Sequence, residues 1–105
     1  EHLISLMMAQ LSENAELLGV FTDIFDPEGA EIYLKPISDY VMTGQPVNFY
    51  TVTEAARRRG ETALGYRLIS EAHDAEKSYG IHTNPKKAGK VSFSSEDKLI
   101  VIAEN

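Results

Sequence analysis

Lys98-Leu99-Ile100-Val101-Ile102-Ala103 is the stretch that decides the fold. Its five apolar residues, Leu99 to Ala103, form the longest unbroken apolar run in the chain. A membrane-spanning helix needs about 20 such residues, so this run cannot cross a bilayer as a helix. A run of this length without alternation predicts a strand buried on both faces. Ser94-Ser95-Glu96-Asp97 before it is a tight polar turn. A fully buried strand needs neighbours on both sides, so the rest of the chain must supply a sheet and its cover.

Working back toward the N-terminus, Thr62-Ala63-Leu64-Gly65-Tyr66-Arg67-Leu68-Ile69 predicts a second strand. Gly65 inside it marks a bulge or the close approach of another backbone. Between the two lies Ser70 to Lys90, polar and loop-like, with a short strand at Ile81-His82 at most. Thr51-Val52-Thr53-Glu54 has capping-box spacing and predicts a helix of about two turns to Arg59, with Gly60 at its C-terminal cap. Val47-Asn48-Phe49-Tyr50 predicts a short strand after the turn Gly44-Gln45-Pro46. Glu31-Ile32-Tyr33-Leu34-Lys35 alternates charged and apolar residues and predicts a strand stopped by Pro36.

The N-terminal third reads differently. Leu3 to Leu11 carries apolar residues at helical spacing. Ser12-Glu13-Asn14 interrupts it with good N-cap residues. Ala15 to Phe25 predicts a second helix, ended by Asp26-Pro27-Glu28-Gly29. Six of the eleven residues in that second helix are large and apolar, and they spread around the wheel, which predicts burial on two faces. The expected fold class is α+β: an N-terminal helix–turn–helix over residues 1–28, then a small lobe over residues 29–105 with one mixed β-sheet and one short helix.

Composition narrows function. The chain has 105 residues, one domain's worth, and no cysteine, so disulfides, thiol catalysis and cysteine-based metal sites are excluded. Its net charge of −6 argues against a nucleic-acid partner. That charge is uneven. Residues 1–34 hold seven acids and no Lys or Arg, whereas the remaining 71 residues hold nine acids and ten bases. The chain starts at Glu1 with apolar residues close behind, which reads as a piece of a longer protein, and no segment of it is expected to insert into a membrane.

Three groups of side chains are candidates for chemistry. His2, His73 and His82 fall at the start and in the polar loop, without the spacing of a metal site or a nucleophile elbow, and read as solvated. Asp23, Asp26 and Glu28, with Glu31 nearby, offer oxygens for a hard cation such as Ca²⁺, although the looped EF-hand pattern is absent. Arg57-Arg58-Arg59 sit in the last turn of a helix, where cations meet the macrodipole favourably. Arg57 with Arg67 of the next strand makes a possible anion site. Neither of the phosphate-binding patterns G-x-x-x-x-G-K-S/T and G-x-G-x-x-G occurs.

The chain also resembles a known family. The resemblance lies in Met7-Met8-Ala9-Gln10-Leu11-Ser12-Glu13-Asn14 through Val20-Phe21-Thr22-Asp23-Ile24-Phe25-Asp26, in Gly29-Ala30-Glu31-Ile32-Tyr33-Leu34-Lys35-Pro36, and in Gly65-Tyr66-Arg67-Leu68, Asn84-Pro85 and Ser95-Glu96-Asp97 with the strand that follows. These resemble the cytosolic regulatory region of CASTOR/POLLUX-type ion channels and, more broadly, the C-terminal lobe of RCK (regulator of K⁺ conductance) domains of the TrkA-C type. Many such lobes place Gly-Asp before the last strand, whereas Glu96-Asp97 stands here.

The resemblance implies a Rossmann-like lobe and a pore domain elsewhere in the parent chain. It implies a homodimer through the N-terminal helices, with Leu3, Met7, Leu17, Val20, Phe21, Ile24 and Phe25 at the interface. It further implies a place on the cytoplasmic face of a membrane and Ca²⁺ or a nucleotide as regulatory ligand. The expectation is a non-enzymatic ligand-sensing module. The alternative is a standalone binding protein or small enzyme with an arginine-lined anion pocket.

Overall fold

The computed structural model describes residues 9–10, 30–83 and 85–104. Ala9 and Gln10 are helical. The expected helix–turn–helix and its interface residues otherwise lie outside the described residues.

The closing run forms β6, Lys98–Glu104. It pairs on one side with β1, Ala30–Pro36, and on the other with β3, Thr62–Arg67. A short strand β4, Ile81–Thr83, adds to the outer side of β3 and completes the order β1-β6-β3-β4. Burial of β6 on both faces follows the sequence reading. Leu99 and Val101 face a core built with Ile37, Phe49, Val52 and Phe93. Ile100 and Ile102 point the other way by strand alternation and are also buried.

The sheet corrects one expectation. It is not mixed, because all three of its pairings are antiparallel. Nor is it the only sheet. β2, Pro46–Asn48, pairs with β5, Lys90–Ser92, as a separate two-stranded ribbon with Val47 opposite Val91. Sequence reading leaves β5 inside or beside the polar loop because Lys-Val-Ser offers one apolar side chain and no pattern.

Gly65 shows why its position excludes a side chain. A Cβ there would lie 2.0 Å from the His82 carbonyl oxygen. The β3–β6 register also shifts between Ala63 and Gly65. Both readings of that glycine, bulge and close approach, hold together.

Helix α1 runs Phe49–Arg58, so it starts before the capping box proposed at Thr51. Asn48 is the N-cap: its Oδ1 accepts from the Thr51 amide at 3.0 Å and from the Thr51 hydroxyl at 3.0 Å. The strand expected over Val47 to Tyr50 therefore gives way at Phe49. Phe49, Val52 and Ala56, spaced three and four apart, form the buried stripe that seats α1 on the sheet. Gly60, at φ +75°, lets the chain leave the helix and enter β3.

Two acids tie this framework together. Asp97 is buried, and its carboxylate accepts from the Ile69 and Ser94 amides at 2.8 Å each. Its carbonyl accepts from the Ile37 amide at 3.0 Å. Three loops thus meet on the residue that precedes β6. Glu61 is the second acid. It accepts from Lys35 Nζ on β1 and from the Tyr40 hydroxyl, both at 2.6 Å. Burial pushes the Glu61 carboxyl up, but those two donors outweigh it and hold the group below its ordinary value. Burial, then the bond to Glu61, pushes the Tyr40 phenol well up.

Candidate functional site

Among the described residues, the outer edge of the sheet carries a polar cluster beside an open groove. β4 is three residues long and presents His82 between Ile81 and Thr83. His82 Nε2 lies 2.8 Å from Glu71 Oε1. Its ring stacks on Tyr66 of β3 at 5.0 Å between centroids and 23° between planes. Tyr66 is directly opposite His82 in the strand register. Burial, with the Glu71 charge adding to it, pushes the Tyr66 phenol up and keeps it protonated.

Gln10 closes one side of this cluster. Its amide nitrogen donates to the Ile81 carbonyl at 3.2 Å, and its oxygen accepts from the Thr83 hydroxyl at 2.8 Å. The helical residue Gln10 thus straddles His82 by bonding to both of its neighbours. The result is an open groove of about 530 Å³ that includes Gln10, Glu71, Lys77, Ser78, His82 and Thr83 among its walls.

Ser78, in the groove wall, opens a stretch of backbone under constraint. Ser78 and Tyr79 take left-handed conformations at φ 53° and 55°, followed by Gly80 at φ +85°. Non-glycine residues rarely adopt that region, and the surroundings must hold them there. Arg67 does so. Its Nε donates to the Tyr79 carbonyl at 2.9 Å, and its other guanidinium edge reaches the Ala72 carbonyl at 3.4 Å. The Gly80 carbonyl accepts from Leu68 N–H at 2.9 Å. A Cβ on Gly80 would lie 2.4 Å from the Leu68 carbonyl oxygen.

The residues singled out by sequence fall in different places. Arg57 sits at the exposed end of α1, bound to Glu54 through Nε at 2.9 Å and a terminal nitrogen at 2.7 Å. Arg58 shares the same Glu54 oxygen at 3.1 Å. Those two arginines hold the Glu54 carboxyl down to about 2. Arg59 stacks over Tyr40 at 4.6 Å and donates to the Asp39 carbonyl. Arg67 lies at the far end of β3 from the turn that follows α1, about 16 Å along an extended strand. Arg57 and Arg67 share no partner among the described residues.

Asp23, Asp26 and Glu28 lie outside the described residues, as does His2. Among the described residues no group of three or more His, Asp or Glu converges as a metal site. His82 corrects the reading of solvated loop histidines: it is on a strand, stacked and paired. No sequence pattern links Glu71 to His82, eleven residues apart, because a strained turn brings them together.

Comparison with known proteins relates the sequence to ion channels. No protein-family profile matches the chain. The ion channel CASTOR of Lotus japonicus is 30% identical to it over 102 residues, covering 97% of this chain and 11% of the channel. The chain is related to the CASTOR/POLLUX-type ion channels. The probable ion channel CASTOR of rice (Oryza sativa subsp. japonica) matches it at the same 30%, and the probable ion channel POLLUX of Arabidopsis thaliana at 28% over 98% of the chain. The chain spans about a tenth of the length of these CASTOR and POLLUX relatives. No described helix is long and apolar enough to cross a membrane.

Proposed function

We propose that the chain is a ligand-sensing, dimerising regulatory segment of an ion channel or K⁺ transport protein, of the RCK C-lobe kind, working at the cytoplasmic face of the membrane. The observation that carries this reading is similarity to channel proteins along 97% of the chain. The absence of a spanning helix among the described residues is consistent with a segment that acts on a pore built elsewhere. Ligand binding would act by favouring one of two subunit arrangements, and only by as much as its affinity for the two differs.

The test is sedimentation of the purified chain. A homodimer is expected, and Phe21→Glu should convert it to monomer by placing a charge in an apolar seam. A wild-type chain that stays monomeric at about 100 μM, where a specific dimer of micromolar affinity is nearly full, counts against the reading.

A further inference from the structure

Tyr66 also lines a second, smaller cavity of about 160 Å³. Its apolar wall comes from Val47, Phe49, Tyr66 and Phe93. Phe93 meets Tyr66 edge-on at 5.1 Å, and Phe49 lies 6.0 Å from the same ring. Its rim comes from the loop before β5 and from the first residue of that strand, and includes Lys86 and Lys90. Lys87, between them, holds its ammonium 5.6 Å from the Phe49 ring centroid.

None of these three lysines pairs with an acid among the described residues. Their loop is nevertheless fixed, since the Lys87 carbonyl accepts from the Phe49 and Tyr50 amides at 2.9 and 3.2 Å. Those amides and that of Thr51 open α1, so the helix N-terminus is already satisfied and the positive charge at the cavity is that of the lysines.

We propose that this cleft binds a compact amphipathic anion: one ring or one branched aliphatic group bearing a single carboxylate. An apolar cavity of about 150 Å³ holds one benzene ring. A drug-sized or nucleotide ligand needs roughly 300 Å³ or more. The aromatic wall takes the apolar body, and Lys86 and Lys90 on the rim, which have no acid partner among the described residues, take the carboxylate. This names a ligand class for the sensing role proposed above and rests on that role for its consequence. The binding itself is read separately from dimerisation, so either can fail alone.

The experiment is an amide-resolved NMR titration of the whole chain with benzoate and isovalerate, with acetate and benzyl alcohol as half-ligands. Saturable shifts are expected with the two acids at residues 47, 49, 66, 86, 90 and 93, with weaker binding of both half-ligands. Lys86→Gln together with Lys90→Gln, both exposed positions, should weaken benzoate about five- to tenfold while leaving the folded spectrum intact. Shifts that stay linear, shifts mapping away from these residues, or unchanged affinity in the double variant overturn the proposal. So does an adenine nucleotide that binds through the same amides as strongly as benzoate.

Discussion

Glu61 and Glu71 are the same acid in opposite circumstances. Glu61 is nearly enclosed, its side chain 7% exposed, and holds two donors that bring β1 and the turn after it onto the start of β3. Glu71 is 19% exposed and has, among the described residues, one side-chain partner, His82, itself 38% exposed. The first pair of bonds joins parts of the framework that must stay together for the sheet to exist. The second lies over an edge strand of three residues, beside an open groove. A buried carboxylate with two donors is a structural tie, whereas a partly exposed one with a single imidazole partner among the described residues remains available to something that enters the groove.

The strongest way to break the edge region without touching Glu61 is Gly65→Ala. The new Cβ would meet the His82 backbone at 2.0 Å, where no side chain can move aside. Either β4 leaves β3 or the strand shifts. The expected cost is about 3 kcal/mol, read from chemical denaturation. Amide exchange should show lost protection in residues 81–83 before residues 98–104. Equal loss in β6 would mean that edge and framework unfold as one.

Glu61→Ala attacks the framework in turn. It leaves Lys35 and the Tyr40 hydroxyl without their acceptor, for an expected loss of about 2–3 kcal/mol, discounted because Lys35 retains partial contact with water. The acid limb gives an independent reading. Because folding lowers the Glu61 carboxyl below its ordinary 4.5, its contribution is complete above that pH and disappears as pH falls through the lower folded value. Glu61→Gln should therefore flatten the loss of stability below pH 4.5. An unchanged acid limb would place that loss on other carboxylates.

The contrast also explains what was legible in the sequence. The Leu99 to Ala103 run announces a strand buried on both faces because hydrophobicity without period has few other uses at that length. Gly65 announces a close approach because a strand tolerates glycine only for cause. Alternation in β1 and the Gly60 stop are equally local signals. β5 was illegible: its one apolar residue gains meaning only from Val47 across the ribbon. The antiparallel sense of every pairing depends on connections that no single segment encodes. Asn48 is masked as a cap because Thr51 and Glu54 make a better-looking one three residues on. The His82 and Glu71 pair depends on three successive left-handed residues, of which only Gly80 advertises itself.

Glu71→Ala is the smaller test. The pair it removes is partly exposed to water, so stability should fall by under about 1 kcal/mol. The Tyr66 phenol should titrate at lower pH, because the Glu71 charge is one of the two causes that raise it. A spectrophotometric titration of the tyrosines resolves this. A loss as large as that of Glu61→Ala would erase the distinction between tie and available group.

Glu54→Gln should have the smallest effect, and it isolates what geometry alone is worth. Glu54 has more charged partners than Glu71, two arginines at 2.7 and 3.1 Å, and its carboxyl is held down to about 2. Yet all three side chains are 44% to 75% exposed. Water screens such pairs, and holding long side chains in one geometry costs entropy. Arg57 and Arg58 keep their favourable place at the C-terminal end of α1 with or without the acid. The melting temperature should therefore stay within error of the wild type, measured at low salt where any ion pair is strongest. If Glu54→Gln instead matched Glu71→Ala, partner number and not burial would rank these acids, and the availability of Glu71 would have to be argued from its groove alone.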